Sequence, residues 1–130
     1  MTSASWALQQ AVFAALSANT EVHALAADRI FDAVPRGAAF PYIVVGEATE
    51  KADGDASEHQ LQIHIWSRGG GHREIKHAAN AVRDALDGTA LTLDGHSLVD
   101  LRFASADYTR ESDGETYRAT LRFRALTEPS

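Results

Sequence analysis

The stretch Arg29-Ile-Phe-Asp-Ala-Val-Pro-Arg-Gly-Ala-Ala-Phe-Pro-Tyr-Ile-Val-Val-Gly46 decides the fold of this chain. Its pattern predicts a short strand over Arg29 to Val34 and then a loop bracketed by Pro35 and Pro41, because proline cannot donate to a strand ladder. The loop leads into an apolar, β-prone strand, Tyr42-Ile-Val-Val-Gly. Since that run is uninterrupted by polar residues, we expect both of its faces to be covered.

The segment before this stretch predicts a helix over residues 5–18 that is apolar on nearly all sides. Ser3 or Ser5 can cap its N-terminus through the side-chain oxygen. Such a helix is usually buried on more than one side, so we expect a second contact within the chain or with a neighbouring subunit. One broad face carries Trp6, Leu8, Val12, Phe13 and Leu16, and the opposite face carries Ala7, Ala11, Ala14 and Ala18.

The segment after it is polar and acidic over residues 47–58, which predicts a long, mobile hairpin loop. The following strand alternates cleanly, with one apolar and one largely polar face. Trp66 on the polar face indicates contact with something other than solvent. The apolar face carries Leu61, Ile63 and Ile65, and the other face carries Gln60, Gln62, His64 and Trp66.

A second main helix is predicted over about residues 72–87, with a half-buried stripe and Gly88 as a left-handed C-terminal cap. The stripe consists of Ile75, Ala79, Val82 and Leu86.

The C-terminal third predicts a turn at Asp94-Gly95 and then a long hairpin. One strand of the hairpin presents Val99, Leu101, Phe103 and Ser105 on one face, and the other presents Tyr117, Ala119, Leu121, Phe123 and Ala125. A three-residue loop over 112–114, with Gly114 left-handed, brings these faces together. That register pairs Phe103 with Phe123 and Leu101 with Ala125.

Together these elements predict one α+β domain over residues 1–130. The order is helix, a short helical piece within residues 19–28, three strands, helix and three strands. A mostly antiparallel sheet with both main helices on one face is the arrangement that suits this order.

Composition narrows the class of function. The chain has 12 Lys and Arg against 18 Asp and Glu, a net charge of −6, which argues against tight nonspecific nucleic-acid binding. It has no cysteine, so disulfides and thiolate metal sites are excluded. The N-terminus lacks the pattern of a signal peptide, and no apolar run approaches the ~18 residues of a membrane span. We therefore expect an intracellular protein that does not enter a membrane.

The sequence also offers no convincing catalytic or cofactor motif. No two of the six histidines have the spacing that brings ligands together on a helix or strand, so we expect no metal. His72-Arg-Glu74 lacks the cysteines of a zinc deaminase, and Ser67-Arg-Gly-Gly-Gly71 lacks the rest of a phosphate loop. We predict that the chain is not an enzyme and binds no cofactor.

One set of residues remains as a candidate interface. In the predicted register, four arginines share the hairpin face opposite the core, with Arg102 directly across from Arg124. Either this is a solvated face with nearby acids, or it meets an acidic surface such as a neighbouring subunit's residues 47–58 or passing nucleic acid. The candidate subunit or partner interface comprises Trp66, Arg102, Arg118, Arg122, Arg124, Glu47, Glu50, Asp53, Asp55 and Glu58.

The chain as a whole resembles the tail-terminator, or tail-completion, proteins of long-tailed phages and phage-derived gene transfer agents. The phrases that carry the resemblance are Leu8-Gln-Gln-Ala-Val-Phe-Ala-Ala-Leu16, Ile30-Phe-Asp-Ala-Val-Pro35, Pro41-Tyr-Ile-Val-Val-Gly46, His59-Gln-Leu-Gln-Ile-His-Ile-Trp-Ser67 and the helix from Ile75 to Leu86.

The resemblance implies a structural particle protein, assembled in the host cytoplasm and placed at the head-proximal end of the tail. It implies a hexameric ring that caps the tail tube, ends polymerisation of the tube protein and joins a head-tail connector. DNA would pass through the ring without sequence-specific binding. The alternatives are another connector, such as a head-completion or adaptor subunit, a minor tail protein, or a small hydrolase or ligand-binding domain using the His64 and Trp66 face.

Overall fold

The computed structural model describes residues 2–130 and confirms an α+β fold. Three helices and six strands lie within these residues. In chain order they are α1 (Ala4–Ala18), α2 (Thr20–Ala26), β1 (Ile30–Phe31), β2 (Tyr42–Asp53), β3 (Ala56–Arg68), α3 (Gly71–Leu86), β4 (Thr92–Leu93), β5 (His96–Arg110) and β6 (Thr116–Pro129).

The six strands form one mixed sheet in the order β1-β2-β3-β6-β5-β4. β1 runs parallel to β2, and the other pairs are antiparallel. α3 contacts the central strands β3, β5 and β6, while α1 contacts α3, β2 and β4. The helix packing differs in detail from the prediction, because α2 is a third helix that packs on α3. Within residues 2–130, no helix is both long and apolar enough to cross a membrane.

The core lies between the helices and one face of the sheet. The predicted apolar face of β3 and the predicted stripe of α3 are both buried, as expected from their periods of two and 3.6 residues. α3 ends at Leu86 with Asp87 as its C-cap, and Gly88 follows with a φ of 72°, the predicted left-handed position. The largest fully buried side chains include Phe123, Leu16, Ile63, Ile65, Ile75, Leu86, Leu101 and Leu121.

The first helix is correctly predicted in position, and within the chain one side of it is buried. The Ser3 hydroxyl accepts the Trp6 backbone N–H at 3.2 Å and caps the helix. Leu8, Val12 and Leu16 are buried, but Trp6 is 47% exposed and Phe13 is 42% exposed. Among residues 2–130, α1 therefore makes no second contact, and a contact with a neighbouring subunit stays a prediction.

The predicted mobile loop over residues 47–58 is wrong. β2 and β3 continue through this segment as a hairpin that turns at Gly54 and Asp55, with Asp53 paired to Ala56. Gly54 has a φ of 62°, which allows so tight a turn. Lys51 lies across from Glu58, and such opposite-charge pairs support a ladder. The acidic composition concealed this alternating pattern.

The opening stretch also differs from its prediction at both ends. The strand expected over Arg29 to Val34 is only two residues long, Ile30–Phe31. In β2, Ile43 and Val45 are buried, but Tyr42 and Val44 remain partly exposed, so only one face is fully covered. In the described part of the chain, residues 2–130, the three helices pack on the core side of the sheet.

The predicted register of the C-terminal hairpin is confirmed. Phe103 pairs with Phe123, Leu101 with Ala125 and Arg102 with Arg124. The predicted three-residue loop is too short, because β5 ends at Arg110 and β6 begins at Thr116. A register shift between Phe103 and Ser105 absorbs the difference.

This shift changes which residues share a face. Ser105 lies across from Arg122, and Ala106, across from Leu121, takes the core-side position predicted for Ser105. A second shift lies between Leu98 and Asp100, and Val99 between them is 51% exposed rather than facing the core.

The hairpin turn is held by a carboxylate. Asp113 accepts the backbone N–H groups of Glu115 and Thr116, both at 2.8 Å, and the Thr116 hydroxyl at 2.7 Å. These hydrogen bonds lower the pKa of Asp113 to about 2, because they stabilise its charged form. Gly114 follows with a φ of 74°, as predicted.

Candidate interaction surface

The sheet face opposite the core, here called the open face, gathers most of the predicted interface residues. Because strand residues alternate between faces, the register places the side chains in rows across β2, β3, β6 and β5. The first row is Tyr42, Trp66, Arg118 and Thr109. The two middle rows are His64, Thr120 and Asp107, and Gln62, Arg122 and Ser105. The last row is Thr49, Gln60, Arg124 and Arg102.

Trp66 has partners within its own chain. Its ring stacks on Tyr42, with centroids 6.3 Å apart and planes at 22°. The guanidinium of Arg118 lies 5.3 Å from the Trp66 ring centroid, within range of a cation–π contact. Arg118 also lies 3.8 Å from a carboxylate oxygen of Glu111. Partial burial raises the pKa of the Tyr42 hydroxyl. These contacts account for Trp66 on a polar face.

The other three arginines differ in how well their charge is compensated. Arg122 Nη1 lies 2.6 Å from Asp107 Oδ2, and Arg102 Nε lies 2.8 Å from Asp100 Oδ1. Arg124 makes no ion pair within residues 2–130 and faces Arg102 directly across the ladder. Like charges in that position are unfavourable. Arg124 is therefore the most available cation of the face.

The predicted acidic residues do not form one cluster. Asp53 and Glu58 line an open cavity of about 540 Å³ together with Asp100, Arg102 and Arg124. Glu50 lies across from His59, on the core side of the hairpin, and Asp55 sits in the turn. Glu47 lines a second cavity, of about 170 Å³, together with Arg122 and Arg124. The structure thus brings three of the five acids near the arginines.

Glu47, the fifth acid, belongs to a hydrogen-bonded chain that the sequence analysis missed. Its Oε2 lies 3.0 Å from His64 Nε2, and His64 Nδ1 lies 3.0 Å from the Thr120 hydroxyl. The bond from His64 lowers the pKa of Glu47. A Cβ on Gly46 would lie only 2.8 Å from His64 Cδ2, so this glycine makes room for the imidazole. A glycine inside a strand pattern was the available signal, because it often marks a bulge or a close approach.

This hydroxyl–imidazole–carboxylate order is also used to activate nucleophiles. Thr120, however, is buried, and the nearby cavity of about 170 Å³ is lined by Glu47 but by neither His64 nor Thr120. The hydrogen bonds from Glu47 through His64 to Thr120 therefore link β2, β3 and β6, and the cavity does not reach the Thr120 hydroxyl. Within residues 2–130 there is also no group of three or more His, Asp or Glu residues arranged to hold a metal ion.

Comparison with known proteins identifies the family. The sequence profile of the family described as Tail completion protein gp17 matches residues 10–128. The chain belongs to this tail-completion family. The match runs from α1 to the end of β6, so the open face and both hairpins fall within it. The resemblance inferred from the sequence is confirmed.

Solved structures agree with the tail-completion assignment. A chain described as "Virion of native gene transfer agent (GTA) particle" is 32% identical, with a TM-score of 0.87, over 98% of this chain and 99% of that chain. A second solved chain is 13% identical, with a TM-score of 0.52 over 93% and 92% of the two chains, and shares the fold alone. No curated protein matches this chain.

Proposed function

We propose that this tail-completion protein forms a ring, of six copies as the resemblance implies, that caps the tail tube of a phage or gene transfer agent. The ring ends polymerisation of the tube protein and provides the surface to which the head-tail connector binds. It resides in the particle, at the head-proximal end of the tail, and DNA passes through its lumen.

The observation that carries this proposal is the similarity to the chain from the gene transfer agent virion. That chain is 32% identical, and the alignment covers nearly all of both chains. A match at this identity over the whole length supports the same kind of role for the two proteins. A structural role in a particle of this kind is therefore the function that the chain fits best.

Features of the structure support an assembly role over an enzymatic one. The exposed aromatic side chains of α1 and the uncompensated Arg124 are surfaces that a monomer leaves unsatisfied. Large apolar side chains and arginine are typical of interfaces between proteins. The hydrogen bonds that join Glu47, His64 and Thr120 link β2, β3 and β6.

Deletion of the gene from the producing phage or agent tests the proposal. Without the cap, tube polymerisation has no stop, so we expect tubes of uneven and excessive length with no heads attached. Electron microscopy of the lysate measures tube length and head attachment, and the gene supplied in trans should restore both.

The alternatives give different images. Tubes of normal length without heads would contradict a terminating role and favour a head-completion or adaptor subunit. Normal particles with heads attached would contradict both roles.

A further inference from the structure

The sheet has an open edge on β2. Its short neighbour β1 pairs only with Ile43 and Val44, so the rest of β2, from Glu47 to Asp53, has β3 as its single strand partner among residues 2–130. Every residue of Glu47–Asp53 is exposed. An open strand edge of this length is a template for pairing with another strand.

A second open edge lies on β5, on the opposite side of the sheet. Within residues 2–130, β4 pairs only with His96 and Ser97. After α3, the Gly88 N–H donates to the Leu101 carbonyl, and the Asp87 carboxylate accepts the Phe103 N–H. Beyond that point Ala104–Arg110 pairs with β6 alone within the described chain. The two open edges face away from each other, so one copy cannot satisfy itself.

We propose that the β5 edge of one copy pairs antiparallel with the β2 edge of the next, so that the sheet continues from subunit to subunit around the ring. This rests on the proposed function and names the contact that builds the ring. In the sheet β2 and β5 run in opposite directions, since three antiparallel pairings separate them. Copies related by rotation therefore bring β2 beside β5 in antiparallel orientation.

The charges of the two edges favour a contact between unlike edges. On the open β2 edge, residues 47–53 carry three carboxylates and one lysine. On the open β5 edge, residues 104–110 carry one carboxylate and one arginine. Two β2 edges therefore repel each other, whereas an acidic β2 edge meets a neutral β5 edge without that repulsion. This difference selects a head-to-tail contact over a symmetric pairing of two β2 edges.

The alternation of side chains fixes the register. On β2 the residues Thr49, Lys51 and Asp53 lie on the open face, because they pair with Gln60, Glu58 and Ala56. On β5 the open-face residues of the edge are Ser105, Asp107 and Thr109.

Placing Lys51 across from Asp107 matches the two open faces. The same register puts Thr49 across from Thr109 and Asp53 across from Ser105. Threonine pairs and opposite charges across a ladder are both stabilising. A shift of two residues in one direction places Asp53 across from Asp107, a like-charge pair. A shift of two residues in the other direction places Asp53 across from Phe103, whose backbone N–H already donates to Asp87. The register with Lys51 opposite Asp107 is therefore the favoured one.

The positions of the edges along the sheet suit a closed ring. Thr49, within the open β2 edge, is level with Arg102 across the sheet, whereas the open β5 edge begins only after Phe103. The two open edges therefore lie toward opposite ends of the strands. Joining the edges therefore displaces each copy along the strand direction. A closed wall of strands requires such a stagger, because its strands tilt against the axis.

Disulfide trapping in assembled particles tests the inference, and the absence of natural cysteine makes it clean. The variants T49C/T109C and D53C/S105C place cysteines at predicted partner positions. The variant T49C/S105C is the matched control, because its cysteines lie on the same strands but about 13 Å out of register. That separation exceeds the span of a disulfide. After mild oxidation of purified particles, the monomer band should be lost to covalent multimers in both pairs and retained in the control.

The outcomes separate the inference from the proposed function. Particles that contain the protein but give no multimers, or equal multimers in the control, overturn the edge pairing and leave the ring in place. Absence of the wild-type protein from tails overturns the proposed function and the inference with it. Hydrogen exchange of the unsubstituted protein gives a second measurement: amides of residues 48–54 and 104–110 should exchange more slowly in particles than in the isolated chain. Equal exchange in both states contradicts the pairing even if the cysteine variants fail to assemble.

Discussion

His59 shows what a single residue contributes to this fold. It is fully buried, its Nε2 lies 2.9 Å from the Thr127 hydroxyl, and its Nδ1 has no partner within residues 2–130. Burial is the main cause that lowers the pKa of this imidazole below its usual 6.5, because desolvation penalises the charged ring. The sequence indicated only that His59 lacks the spacing of a metal ligand pair, and the structure places His59 and His64 on opposite faces of β3.

This burial predicts a pH dependence of stability. Since the pKa is lower in the folded state, the unfolded chain takes up the proton first, and the free energy of unfolding falls as pH drops through 6.5. Above 6.5 this contribution is constant. Urea unfolding between pH 8 and 5 should show the decline, and His59→Gln should flatten it. His77→Gln on the exposed side of α3 is the control, and an unchanged slope in His59→Gln would contradict the assignment.

Gly46 gives a second prediction at this scale. Gly46→Ala places a methyl group 2.8 Å from His64 Cδ2 and so displaces the imidazole from Glu47 and Thr120. Overpacking of this kind costs about 1–3 kcal/mol. Urea unfolding should show that loss in the wild-type background. In a His64→Ala background the clash is gone, and a loss of equal size there would contradict this account.

At the scale of elements, the sequence predicted those whose burial is periodic. The stripe of α3 and the apolar face of β3 follow from spacing alone, because each element has one buried side. The register at Phe103 was also predictable, since it brings two apolar faces together. The bulges that move Val99 and Ser105 off that face depend on local backbone geometry, which the apolar pattern does not encode.

The β2–β3 hairpin was missed because its outer half is held by ladder hydrogen bonds and charge pairs with little apolar burial. This gives a prediction. Gly54→Ala forces a side chain onto a residue with a φ of 62°, at a cost of about 1–2 kcal/mol. We expect faster amide exchange in residues 48–61 with little change in α3. Unchanged exchange in the hairpin would mean that the segment is the mobile loop that its composition suggested. Ala52→Gly, beside the turn but without the positive φ requirement, is the control.

At the scale of the whole molecule, the candidate interface is only partly readable from sequence. The sequence placed four arginines and Trp66 on one face, and the register confirms that they share it. The sequence did not show that Trp66 contacts Tyr42 and Arg118 within its own chain. It also did not show that the acidic residues lie on two sides of a hairpin. Those outcomes depend on which side chains meet across strands far apart in the chain.

Arg124 and Arg122 separate assembly from folding. Arg124 makes no ion pair within residues 2–130 and faces Arg102, so Arg124→Glu should not lower the melting temperature but should reduce incorporation into particles. Arg122 pairs with Asp107, so Arg122→Glu should also lower stability, by up to about 1 kcal/mol for an exposed pair. Arg36→Glu in the exposed loop before β2 is the control for charge alone. Normal incorporation of Arg124→Glu would assign this face to solvent.

If the chain forms a ring at the head-proximal end of a tail, electron cryomicroscopy of native particles will locate it there. We expect this fold, repeated around the tail axis, to account for the density between the last layer of tube protein and the head-tail connector. Density of a different fold at that position, or this fold located elsewhere in the particle, would contradict it.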